Sequence, residues 1–168
     1  MRTGMNRRQY SPWHSTRLRG RYIHELVSYC TENGIDGVDL DWEGYPQSID
    51  DDDHLALVNQ MSDSLRSSAL SFSVALMLSQ YDLCSRMIGS VDHFNIMGYE
   101  TFDENGDHVP FEMLEWYLNK YLSAGVPASK IVMGVPCFAR RQYIEGDTSP
   151  LYLTYRQIVN LISTSPVS

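Results

Sequence analysis

The stretch DGVDLDWE, residues 36–43, decides how this chain is read. Side chains on a β-strand alternate between two faces. Gly37, Asp39, Asp41 and Glu43 therefore share one face, and Val38, Leu40 and Trp42 the other, with Asp36 just ahead. The apolar face suits packing against covering helices. The opposite face then carries three carboxylates in a row along about 13 Å of strand. Like charges that close repel, and burial penalises the ionised form, so at least one is expected to stay protonated near neutral pH. Such a row works against stability and is typical of a site of chemistry. A structural ladder of ion pairs would need inward Arg or Lys, and the surrounding strand cores offer none. Aspartates also suit a divalent metal, but a metal loop is polar and glycine-rich, not interleaved with Val, Leu and Trp. Acid catalysis is favoured over both alternatives, and no metal ligand or cofactor is assigned.

Outward from this strand, short apolar runs alternate with helical patterns. RYIHELVSYCTEN (21–33) has Ile23, Leu26, Val27 and Cys30 at helical spacing, and Gly34 stands where a C-cap would. Four aspartates at 50–53 precede the helical stretch 54–68. They read as acid at the positive end of a helix rather than as a metal site. LSFSVALML (70–78) reads as a second strand, followed by a helix-like stretch over 82–88. VDHFNIMGYE (91–100) reads as the third strand and EMLEWYLNKYLSAG (112–125) as a helix with a glycine stop. KIVMGVPCFAR (130–140) reads as the fourth strand and 154–163 as the last helix. Near-continuous apolar strands alternating with helices imply an α/β fold with a parallel sheet under helices. Four such units make half of a (β/α)8 barrel of the TIM type, which needs roughly 200 residues or more. An incomplete barrel is expected, with a smaller open sheet as the alternative.

Bulk properties narrow the function classes. The 168 residues include 43% hydrophobic and 20% charged residues, a globular composition. The net charge of −8 argues against nucleic acid and anionic membranes as partners. An uncharged substrate meets no such barrier. No apolar stretch is long enough to span a bilayer. The basic N-terminal stretch lacks the apolar core of a signal peptide, so the compartment is left unassigned. Cys30, Cys84 and Cys137 are dispersed and are expected to be buried free thiols.

The spacing of DGVDLDWE matches the DxxDxDxE signature of glycoside hydrolase family 18, the chitinase family. FNIMGYE (94–100) is similar to that family's sixth strand, usually ending Met-x-Tyr-Asp. KIVMGVPCFAR resembles its seventh, usually Gly-x-Pro-x-Tyr-Gly-Arg. The resemblance covers about residues 20–163 and implies a partial catalytic domain, 1–168, holding strands four to seven and no insertion domain. It further implies a glycosidase acting on chitin or other N-acetylglucosamine polymers, in a family whose members are commonly secreted. Self-association through exposed sheet edges is expected of a half-barrel.

Glu43, last on its strand, stands at the rim where barrels of this type place chemistry and is expected to be the general acid. A retaining glycosidase ordinarily sets a second carboxylate about 5 Å from the first, across the sugar. Asp41 rises from the same face of the same strand and cannot fill that role. Glu100 has the opposite parity to Tyr99, so no other strand offers an inward acid at its rim. The substrate's own N-acetyl carbonyl must then be the nucleophile, as in the substrate-assisted members of this family. Asp41 would hold the acetamido N–H, and Asp39 would share a proton with Asp41 and tune Glu43. The resemblance gives Tyr99 a hydrogen bond to the acetamido oxygen. Met97, Glu100, Arg140 and Trp42 are candidates for substrate binding. By parity Met97 fits floor packing and Trp42 points outward. Arg140 has two candidate partners, sugar hydroxyls or a neighbouring carboxylate. Departures from the family pattern are Glu100 for Asp, Phe138 for Tyr and Ala139 for Gly. Trp13 and Trp116 are aromatic enough to stack on sugars, although helical spacing favours Trp116 packing in the helix layer. A non-catalytic glycan-binding lectin and an inactive truncated form are the competing functions; lectin forms of the family usually lose the residue at the Glu43 position.

Overall fold

The structure, a computed structural model, describes residues 15–41, 51–140 and 152–164. Helix α1 (Thr16–Glu32) starts at an N-cap, Ser15, whose hydroxyl accepts from the Leu18 N–H at 3.4 Å. Gly34 ends it with φ 65°, and the Ile35 N–H returns to the Cys30 carbonyl at 2.9 Å. Glycine tolerates this left-handed position without steric penalty, which is why the helix stops there. Strand β1 (Gly37–Asp41) follows, then α2 (Asp51–Ser67), β2 (Ser71–Met77), α3 (Tyr81–Ser85) and β3 (His93–Met97). Helix α4 (Phe111–Ser123) ends in the same manner: Gly125 has φ 88° and the Val126 N–H donates to the Tyr121 carbonyl. A 3-10 turn, Ala128–Lys130, leads into β4 (Ile131–Gly134).

Strands β1 to β4 form one parallel sheet in chain order, the topology the alternating pattern implied. Among the described residues it is open, with no closed barrel. Val38 and Leu40 lie against a core built from Leu57, Val58, Met61 and Leu65 of α2, Val74 and Leu76 of β2, and Phe94 and Ile96 of β3. Burying each such side chain contributes roughly 1.5–3 kcal/mol. Tyr121 of α4 is fully buried and donates its hydroxyl to the Met77 carbonyl at 2.7 Å, tying α4 to the end of β2. Arg19 is buried between α1 and α2, where it donates to Gln60 at 2.8 Å.

Gly37 is required by the sheet itself. A Cβ there would stand 2.5 Å from the Ser71 carbonyl oxygen of the adjoining strand, whereas one at Gly89 would meet nothing within 4 Å. Gly37→Ala is expected to cost about 1–3 kcal/mol, and Gly89→Ala close to nothing. Denaturation midpoints of the two variants in a closed-barrel fusion compare them directly.

Three expectations are corrected. The run 130–140 is not one strand. It breaks after Gly134, and Pro136, which has no N–H to give a ladder, lies in the gap. Residues Phe138–Arg140 form β5, which pairs antiparallel with β6 (Tyr152–Thr154) ahead of α5 (Tyr155–Thr164). Strand β3 is shorter than 91–100 and ends at Met97. Of the cysteines, Cys30 and Cys84 are buried and Cys137 is exposed. Burial pushes the Cys84 thiol up to about 12.

Among the described residues, β1 and β4 are each hydrogen-bonded to one neighbouring strand only. Met77 and Val132, on the face away from the helices, are about half exposed. Residues 1–168 expressed alone are therefore expected to associate on a sizing column and to melt without a sharp transition. A monodisperse monomer with a cooperative melt would contradict this.

Candidate active site

The site is assembled by register. Asp39 pairs with Ser73, and Asp41 with Ala75; Ala75 in turn pairs with Asn95, and Asn95 with Val132. This brings the two acids, Ser73 and Asn95 onto the sheet face opposite the helices. Asp39 Oδ1 accepts from Ser73 Oγ at 2.5 Å and from Asn95 Nδ2 at 2.8 Å, so three strands fix one carboxylate. Asp39 and Asp41, with Asn95, Met97, Tyr99, Val132 and Gly134, line a cleft of about 270 Å³. A second cleft of about 420 Å³ is lined by Met77, Leu78, Ser79, Met97, Tyr99, Glu100, Thr101 and Tyr117. Met97 and Tyr99 line both.

The expected burial of the acid row is not observed: Asp39 and Asp41 are exposed, because no wall faces them among the described residues. Asp36 is also exposed, and its backbone carbonyl accepts the Ser71 N–H at 2.9 Å. Glu43, Trp42 and Trp13 lie outside the described residues. Trp116 is not packed into the helix layer. It is 52% exposed on α4, with the Lys120 ammonium 4.8 Å above its ring.

Glu100 departs from parity for a clear reason. The strand has ended by residue 97, and Glu100 adopts φ 62°, so the alternation of faces no longer applies. It lines the same cleft as Tyr99. Its carboxylate accepts from Arg140 Nη1 at 2.6 Å and from the Tyr152 hydroxyl at 3.0 Å. Arg140 is thus paired with a neighbouring carboxylate. The hydrogen bond to Glu100 holds the Tyr152 phenol above its ordinary value. Tyr99 packs edge-on against Phe138, with ring centres 6.1 Å apart. Neither Ser73 nor Tyr152 carries a signal in the sequence. Ser73 is one of three small hydroxyl and alanine positions in an apolar strand, and only its pairing with Asp39 marks it. Tyr152 sits on a three-residue strand, too short for periodicity to reveal.

Comparison with known proteins fits this geometry. The profile of Glycosyl hydrolases family 18 matches residues 3–162. Chitinase 1 of Aphanocladium album is 25% identical over 169 residues, covering 81% of this chain and 39% of the relative. "Probable chitinase 2" of Drosophila melanogaster is 27% identical over 146 residues, covering 73% of this chain and 30% of the relative. A family GH18 chitinase from Cycas revoluta, solved in complex with allosamidin, superposes with a TM-score of 0.76 at 20% identity. That match covers 91% of this chain and 56% of the other. The chain thus spans about half of that solved structure and less than half of either curated relative. It belongs to glycosyl hydrolases family 18, and its four-stranded parallel sheet is part of that family's barrel.

Proposed function

We propose that this chain carries the catalytic strand of a retaining glycosidase acting on β-1,4-linked N-acetylglucosamine polymers, with Glu43 as general acid. The observation that carries it is the acid row of β1: Asp39 and Asp41 stand side by side on the cleft face, and the strand runs toward Glu43. Glu43 protonates the glycosidic oxygen as the bond to the anomeric carbon breaks. The substrate's acetamido oxygen attacks that carbon, giving an oxazolinium ion, and Glu43 then deprotonates the water that opens it. Asp41 accepts the acetamido N–H and balances the cation. Asp39, fixed by Ser73 and Asn95, sits one step deeper and supports Asp41. Tyr99 donates to the acetamido oxygen from the far side of the cleft.

The need for a substrate-derived nucleophile is supported by what the other acid does. Among the described residues lining the two clefts, the carboxylate not on β1 is Glu100, and it is ion-paired with Arg140. The ion pair and the Tyr152 hydrogen bond draw charge from this carboxylate and make it a weaker nucleophile. Chitinases such as the Cycas revoluta enzyme crystallised with (GlcNAc)3 point to the same substrate class. The test is hydrolysis of a fluorogenic chitobioside by the chain fused to the remaining barrel strands of a family member. Turnover that disappears in Glu43→Gln supports the assignment, and turnover unchanged in that variant rejects it.

A further inference from the structure

The loop between β3 and α4 contains a contact that the catalytic scheme does not use. The Glu100 N–H donates to His108 Nε2 at 3.2 Å. An imidazole nitrogen accepts only when it carries no proton, so this bond requires the neutral ring with its hydrogen on Nδ1. The residue so held is the one whose backbone is left-handed, at φ 62°. A non-glycine residue there is strained, and such strain persists only where its surroundings enforce it. Val109, next to His108, is also left-handed at φ 46° and donates its N–H to the Thr101 carbonyl at 3.1 Å. The loop is thus closed on itself at both ends, with a bridge between Phe102 and His108.

The His108 ring is half-buried between Phe102, at 5.5 Å between centres, and Phe138 of β5, at 5.7 Å. The charged groups around it are Glu100 from the loop after β3 and Arg140 from β5, with the Tyr152 hydroxyl of β6 on the far side of the Glu100 carboxylate. On its own loop, Asp103 is occupied by the N–H groups of Asp107 and then Asn105, which hold its carboxyl below the ordinary range. Protonating His108 would remove the acceptor for the Glu100 N–H. It would also set a second cation beside Arg140, both competing for one carboxylate.

We propose that His108 is a positioning residue of this site: its neutral ring holds the Glu100 backbone in the turn that delivers the Glu100 carboxylate to Arg140 and Tyr152 at the cleft rim, and protonation releases it. The functional part of this proposal rests on the N-acetylglucosamine reading; the coupling of His108 to Glu100 does not. Burial first, then Arg140, lowers the His108 pKa below its ordinary value, with Glu100 opposing. Because the folded-state value is depressed, the stabilisation is present above the ordinary histidine range, about 6.5, and is lost as pH falls through the lower folded value.

Two measurements test it on the closed-barrel fusion, in its Glu43→Gln form so that the sugar is not hydrolysed. In the first, NMR follows the Glu100 amide and the His108 ring from pH 8 to pH 4 without sugar. The amide is expected to shift with the His108 midpoint in the parent. It should stay flat through that range in His108→Gln, whose side-chain oxygen accepts at every pH. In the second, titration with tetra-N-acetylchitotetraose should give binding roughly three- to tenfold weaker in His108→Leu, the loss expected for one hydrogen bond. His108→Gln should restore the affinity and remove its pH dependence. A Glu100 amide that ignores the His108 midpoint overturns the proposal, as does a His108→Gln profile identical to the parent's. If the amide tracks His108 while no N-acetylglucosamine oligomer binds at any pH, the coupling stands and the function proposed above falls instead.

Discussion

Glu43→Gln, in the chain completed to a closed barrel by fusion to a family member's remaining strands, should hydrolyse chitin oligomers roughly 10²–10⁴-fold more slowly, the usual loss for a positioned general acid. The amide keeps the size and hydrogen-bonding reach of the acid but has no proton to give the leaving oxygen. Binding of the same oligomers should survive, because the aspartates, Tyr99 and the Glu100–Arg140 pair are untouched. The effect therefore falls on kcat and leaves KM nearly unchanged, as for an interaction made only in the transition state. A variant that keeps more than a tenth of the parent rate would remove Glu43 from the role.

An equally large effect is expected from the substrate side. Oligomers in which the N-acetyl group is replaced by hydroxyl should bind but not be cleaved, since they lack the oxygen that attacks the anomeric carbon. Among the described cleft residues, Asp39 and Asp41 share one face of β1, and the Glu100 carboxylate is ion-paired with Arg140 and accepts from Tyr152. Comparable turnover of N-acetylglucosamine and glucose oligomers would exclude substrate assistance. A thiazoline analogue of the oxazolinium ion should inhibit strongly, because it resembles the intermediate rather than the substrate.

The sheet was legible in the sequence because its signals are strong ones. SFSVALM is buried along almost its whole length, as a central parallel strand must be, and such a run has few other readings. Gly34 and Gly125 mark helix ends by the backbone angle they alone adopt cheaply. The acid row was legible because alternation separates Val38 and Leu40 from Asp39 and Asp41, and both sets lie where alternation puts them. What could not be read follows from the same physics. Parity holds only while a strand continues, so it failed for Glu100, three residues beyond the end of β3. The pairing of Phe138–Arg140 with Tyr152–Thr154 joins two three-residue strands across an intervening segment, and neither carries a periodic signature. The Glu100–Arg140 and Asp39–Asn95 bonds span 40 and 56 residues, and only the folded register brings their ends together.

Substrate-assisted catalysis is tested most directly by which face of the anomeric carbon is attacked, and how often. Attack by the acetamido oxygen followed by water inverts the centre twice, so β-linked substrate must yield β-anomeric product first. Proton NMR of the first minutes of tetra-N-acetylchitotetraose hydrolysis, with the closed-barrel fusion and its Glu43→Gln variant side by side, reads this before the sugar mutarotates. The expected result is β-anomer in excess from the parent and almost no product from the variant. An initial excess of α-anomer, or the same product at the same rate from Glu43→Gln, would contradict the mechanism.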